Sequence, residues 1–192
     1  MREYPTLKKI LELATPPTDP KIRSKALKYF IENFKEKYSK NYNPSEINIA
    51  LLPCLDPSIY AKPSECFINP ECTIMKFQAI HQELRFQAEQ FGVRQHPSRE
   101  KLLNRLIEDP PRDENKAKAI FEYLASRQGD FIHSDCIFLA DLKFIPIRVK
   151  SQPNVIDLTN PRSYFFKGQE ERYVLHYLCF KFLFLSFSLF FL

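Results

Sequence analysis

Residues 97–127 read PSREKLLNRLIEDPPRDENKAKAIFEYLASR, and their punctuation decides the fold. Pro97-Ser98 opens a helix over Arg99–Glu108, with Leu102, Leu103, Leu106 and Ile107 recurring on one side. Pro110-Pro111 ends it, because proline lacks the N–H a helix needs and crowds the preceding turn. Asp113 can cap a second helix, in which Ala117, Ile120, Phe121 and Leu124 return every three or four residues up to about Arg127. Two amphipathic helices separated by a proline pair predict helix packed on helix.

The same grammar extends toward the N-terminus. Leu7, Ile10, Leu11 and Leu13 predict a short helix over Tyr4–Ala14, stopped by Pro16-Pro17. Asp19-Pro20 then starts a longer one, with Ile22, Ala26, Leu27, Phe30, Ile31 and Phe34 on its apolar face. Ile47–Leu52 is an apolar run of strand length. Pro53–Cys72 carries four prolines, at 53, 57, 63 and 70, and reads as ordered loop with one strand. Phe77, Ile80, Leu84, Ala88 and Phe91 are spaced for a helix over 77–91, ended by Gly92.

Toward the C-terminus the period changes. Ser134–Leu142 reads as one short helix, with Ser134 or Asp135 as its cap. Lys143–Val149 alternates like a strand, Val155–Leu158 can pair with it across 150–154, and 164–166 suits a third strand. The expected fold is therefore α+β and predominantly helical: five to six helices, a small β-hairpin element and an apolar, helix-like tail. Residues 1–53 form a two-helix N-terminal segment, 54–168 a helical-plus-hairpin segment of the same domain, and 173–192 the tail.

Composition bounds the function. Hydrophobic residues make up 44% and charged residues 27%, which places the chain in the globular class. The net charge is +5, yet residues 54–168 carry 16 basic and 15 acidic side chains. A nucleic-acid binder shows a stronger local excess of cations. A winged-helix arrangement built on 77–91 and 98–108 would nevertheless aim Arg99, Lys101 and Arg105 at phosphates. Only three glycines occur, at 92, 129 and 168, so no glycine-rich loop can cradle a nucleotide phosphate.

Cys54, Cys66 and Cys72, with His81, are the nearest thing to a metal-ligand set. They lack the close ligand pair that lets a chain turn around zinc, and buried thiols are the simpler reading. His133-Ser134-Asp135-Cys136 gathers a base, a carboxylate and a nucleophile, but catalytic partners normally converge from distant parts of a chain. No catalytic, cofactor-binding or metal residues are assigned, and no enzyme activity is expected. Five cysteines without a repeating interval, a charged start and no usable glycosylation acceptor (Asn43-Pro44-Ser45 is blocked by its proline) predict reduced thiols in cytoplasm or nucleus.

Several stretches resemble a large, mostly fungal family of unknown function. They are Leu52-Pro53-Cys54, Tyr60–Phe67, Phe91–Ser98, Ala119–Leu124 and Leu142–Ile147. Tyr29-Phe30-Ile31, Tyr38 and Tyr42 fit the stretch before them, so the resemblance covers about residues 1–170. The family's long members are sacsin-like and begin with a GHKL-type ATPase domain. The resemblance implies a downstream scaffold segment that contacts other protein segments and binds no nucleotide. It transfers no catalytic residue, because no ATPase motif occurs in this chain.

The tail, 173–192, is rich in Phe and Leu and carries one charge, Lys181. About 20 residues would span a bilayer core of roughly 30 Å, with Lys181 costing on the order of 2.5–3.5 kcal/mol. Three readings follow: a membrane anchor, which would make the chain a tail-anchored adaptor; translation through thymine-rich intron sequence, which would make it a fragment; and a buried core helix.

Overall fold

The structure, a computed structural model, describes residues 4–149 and 152–160. The chain divides into two compact units, Met1–Thr73 with Phe77–His96, and Ile74–Lys76 with Pro97–Leu192. The expected segment 1–53 falls wholly in the first unit, whereas 54–168 is shared between the two. The expected third strand at 164–166 and the tail 173–192 lie outside the described residues. Among those described, the α+β, predominantly helical fold is the one observed.

In the first unit, helix α1 (Leu7–Leu13) is capped by the Thr6 hydroxyl, which accepts from Lys9 N–H at 3.2 Å. Helix α2 (Pro20–Asn33) starts as its sequence dictates: Asp19 accepts from Lys21 and Ile22 N–H groups, and Pro20 occupies the first turn. Its buried stripe is Ala26, Leu27 and Phe30. Ile22, expected on that stripe, is half-exposed (51%) because it lies in the first turn, beyond the core's reach. The helix runs on into one π-helical segment, Phe34–Tyr38. That wider turn keeps both Phe34 and Tyr38 buried. Phe30 then meets Phe34, Tyr38, Tyr42 and Phe91 at ring-centroid distances of 5.4–5.9 Å. Tyr42 donates its hydroxyl to Phe91 O at 3.0 Å, so the aromatic cluster also satisfies a buried carbonyl.

Two expectations are corrected here. Ile47–Leu52 is not a strand; only Leu52–Pro53 (β1) pairs, antiparallel to Tyr60–Ala61 (β2). The loop expected at 53–72 is richer than one strand, because Cys66–Phe67 (β3) runs parallel to Gln78–Ala79 (β4). The expected helix at 77–91 therefore begins late, as a 3-10 helix over Gln82–Phe91. The cause is tertiary. Ile80 N–H donates to Phe67 O at 2.9 Å, His81 N–H to Pro53 O at 2.9 Å, and Leu55 N–H to Ala79 O at 2.8 Å. The proline-rich loop thus claims, through its Pro53 and Phe67 carbonyls and its Leu55 N–H, backbone groups of 79–81 that a helix would have used. Gly92 closes the 3-10 helix in the left-handed region, φ 79°.

In the second unit, α3 (Arg99–Glu108) and α4 (Glu114–Ser126) match the expected boundaries. Ser98 and Asp113 cap them. The core comprises Leu102, Leu106, Ala117, Ile120, Phe121, Leu124, Leu139, Phe144 and Ile145, with Phe121 and Phe144 edge to face at 5.4 Å. Ile107 is corrected: it stands half-exposed, at 50%. Helix α5 (His133–Asp141) leads into the hairpin of β5 (Ile145–Val149) and β6 (Gln152–Thr159). β6 begins three residues earlier than its apolar alternation suggests, which shortens the connection.

Candidate functional site

The three cysteines singled out by sequence are brought together in the first unit. Cys66 pairs in register with Gln78, and Cys72 Sγ donates to Gln78 O at 3.9 Å. Cys54 forms a bridge with Ile80, two residues further on. All three are fully buried and free. Burial pushes each thiol up, because an ionised sulfur would lose its hydration. Cys54 is pushed up to about 11, with Asp56 adding repulsion. Cys66 is pushed up to about 12 and is raised further by Cys54. Cys72 is also pushed up to about 12. Nucleophilic and metal-ligating sulfur is thiolate, and this environment favours the protonated form. His81 follows Ile80 directly and has its Nδ1 4.0 Å from the Glu83 carboxylate. Among the described residues no group of three or more His, Cys, Asp or Glu side chains is arranged to hold a metal ion.

The run at 133–136 is used locally. Asp135 accepts from Ile132 N–H at 2.9 Å, closing the first turn of α5, and its carboxylate lies 3.6 Å from Arg99 Nη1. His133 and Ser134 stand exposed on that turn. Arg99 also contacts Glu100 at 3.0 Å, so this guanidinium is engaged by two carboxylates. Of the two helices considered for nucleic-acid contact, the 3-10 helix Gln82–Phe91 belongs to the first unit and α3, which carries Arg99, to the second.

Two arrangements were not legible in the sequence. Lys37, in the π-helical turn, donates to Asn33 Oδ1 and to the Tyr29 hydroxyl, and its ammonium sits 3.7 Å from the Tyr4 ring centroid. The spacing of Tyr29, Asn33 and Lys37 hinted at this contact, while the Tyr4 contact is purely tertiary. Tyr38 donates to Pro5 O at 3.1 Å, fastening the same N-terminal stretch. The second is apolar surface. Phe86 is fully exposed (100%), and Ile132, Ile137 and Phe138 are exposed at 48%, 45% and 42%. No described helix is long and apolar enough to cross a membrane.

The family described as "Protein of unknown function (DUF3684)" matches residues 1–187, nearly the whole chain. No curated protein and no solved structure matches it.

Proposed function

We propose, from the premise that the chain belongs to the DUF3684 family of proteins of unknown function, that it is a non-catalytic, protein-contacting segment of a sacsin-like, chaperone-related scaffold. The observation that carries this reading is where the family-like stretches fall. Leu52, Cys54, Ala61, Cys66, Phe67, Phe91, Val93, Ile120, Phe121, Leu124, Phe144 and Ile145 all lie in those stretches and all are buried. They build the cores of the two units. The chemistry-bearing side chains nearby serve the fold: protonated thiols in the core and Asp135 on a helix end. Phe86, fully exposed, is the apolar group that this reading assigns to a protein partner. Buried, unpaired Cys54, Cys66 and Cys72 support a reducing setting, cytoplasm or nucleus.

Two measurements test this. The purified chain should lower light scattering from a heat-unfolded client protein, and Phe86→Ser should weaken that effect without shifting Tm. Scattering that stays unchanged even in large molar excess of chain would count against the scaffold reading. Turnover of ATP above background by the chain alone would end the non-catalytic one. A second reading, the tail-anchored adaptor, is supported by the apolar stretch 173–192, of which 173–187 lies within the family match. Flotation with vesicles that persists in a chain ending at residue 172 would remove it.

A further inference from the structure

The chain's net charge of +5 sits in one place. Residues 21–40 hold seven cations against two carboxylates, Glu32 and Glu36, and the rest of the chain is balanced. Two of the seven are engaged inside the first unit. Arg23 stacks 4.3 Å from the Tyr60 ring centroid, and Lys37 is held by Tyr29, Asn33 and Tyr4. Lys28 reaches Glu32 at 3.9 Å. Lys21, Lys25 and Lys35 stand exposed and form no ion pair with any described residue.

Spacing puts these groups on one line. Lys21, Lys25, Lys28, Glu32 and Lys35 follow at steps of four, three, four and three, which return to the same side of a helix. That side lies opposite the buried Ala26, Leu27 and Phe30, and the stripe runs about 21 Å. The arrangement works against the helix that carries it. Like charges three and four residues apart repel, so Lys25 is opposed by both Lys21 and Lys28. Lys21 also stands in the first turn, where the helix dipole favours acids. No Asp or Glu lies in that turn, and the Asp19 carboxylate is taken by two backbone N–H groups. Local rules broken with no compensating partner among the described residues point to a partner outside the chain.

We propose that this stripe docks an acidic segment of another protein, a helix whose carboxylates recur every three to four residues. The inference rests on the protein-contacting reading above and names the partner's chemistry. Such a helix repeats its carboxylates about every 5–6 Å, the interval at which α2 repeats its lysines. Three features favour it over nucleic acid or lipid. Glu32 interrupts the row, so a continuous phosphate chain would be repelled there, whereas a protein segment can set a cation against it. The free cations are all lysines, and Arg23, whose planar fork would suit phosphate, lies on Tyr60. The apolar face of α2 is buried in the first unit's core, which leaves only Ile22 to enter a bilayer.

The test is fluorescence anisotropy of the full chain with a labelled peptide of about 20 residues, long enough to cover the stripe, with Glu recurring every three to four positions among Ala. The peptide should bind at low salt, bind less as salt screens exposed charges, and not bind with Gln in place of Glu. Lys21→Glu with Lys25→Glu and Lys35→Glu should weaken binding by about tenfold or more, with the circular dichroism spectrum unchanged. The same three positions changed to Arg should stay within about twofold of the parent chain. Arg112→Glu with Lys118→Glu and Lys143→Glu makes the same change in net charge at exposed positions of the second unit, and should also stay within about twofold. An equal loss from both triple reversals would overturn the stripe, as would tighter binding of duplex DNA or phosphatidylserine vesicles. A chain that lowers scattering of a heat-unfolded client yet binds no acidic peptide at low salt would refute the stripe alone and leave the scaffold reading standing.

Discussion

Gly92→Ala should be among the most damaging single-methyl additions in the first unit. Gly92 sits at φ 79°, a left-handed conformation that ends the 3-10 helix Gln82–Phe91, and an L-residue there costs about 1–2 kcal/mol. Space is the second obstacle. A Cβ at this position would lie 2.2 Å from Pro44 Cβ and 2.5 Å from Pro44 Cγ, where carbons prefer about 3.5–4.0 Å. Pro44 cannot swing aside. Its ring is fixed, and it opens the 3-10 turn Pro44–Glu46, which Asn43 caps. Overpacking of this kind adds about 1–3 kcal/mol, so the expected total is about 2–5 kcal/mol. Urea denaturation followed by far-UV circular dichroism reads it as a lower midpoint at unchanged slope. Gly129→Ala is the control: nothing lies within 4 Å of its Cβ position, and the change should stay within about 0.5 kcal/mol. In a Pro44→Gly background the clash vanishes, and Gly92→Ala should cost only its conformational share. A cost for Gly92→Ala under about 1 kcal/mol would refute the whole account. An equal cost in both backgrounds would refute its steric half.

Three further outcomes follow from the cores and caps. Cys54, Cys66 and Cys72 ionise near 9.0 when unfolded but are held at about 11, 12 and 12 in the fold. Above pH 9 the unfolded state therefore binds fewer protons; their stabilisation is complete below that pH and is lost as pH rises toward 11–12, by about 1.4 kcal/mol per pH unit and thiol. Urea titrations at pH 8 and 10 should show the fall, and Cys66→Ala should flatten it by about one proton; equal slopes would contradict the burial argument. Phe30→Ala removes the ring at the centre of four aromatic contacts and should cost about 3–5 kcal/mol by thermal unfolding, with Phe30→Leu costing clearly less. Asp19→Ala, which strips α2 of two accepted N–H bonds, should cost about 1 kcal/mol, and Asp19→Asn should restore most of it.

Legibility in the sequence tracked the range of the forces involved. Helices α2, α3 and α4 were readable because each carries its own signals within a few residues: a capping Asp or Ser and an apolar period, with a closing proline pair after α3. The stretch 47–81 was not. Its backbone groups could have formed helix or strand on local grounds, and partners thirteen or more residues away, such as Phe67 O for Ile80 N–H, and Pro53 O for His81 N–H, decided the matter. The same holds for the candidate site. Four cysteines and histidines in one region suggested ligands; the fold buried three thiols together and left His81 beside Glu83. Phe86 belonged to an apolar-looking helix by composition, yet only the orientation of that helix left it bare.

By itself, then, the sequence determined the helical majority, the hairpin, and the absence of a glycine loop for phosphates. These depend on dihedral preference, hydrogen bonding within a turn and side-chain period, all local properties of the chain. Only the tertiary structure decided which thiols meet, how the 77–81 backbone is satisfied, and which side of α5 stays open. Those outcomes depend on groups far apart in sequence competing for the same hydrogen bonds and the same buried volume, and that competition is settled only when the chain has packed.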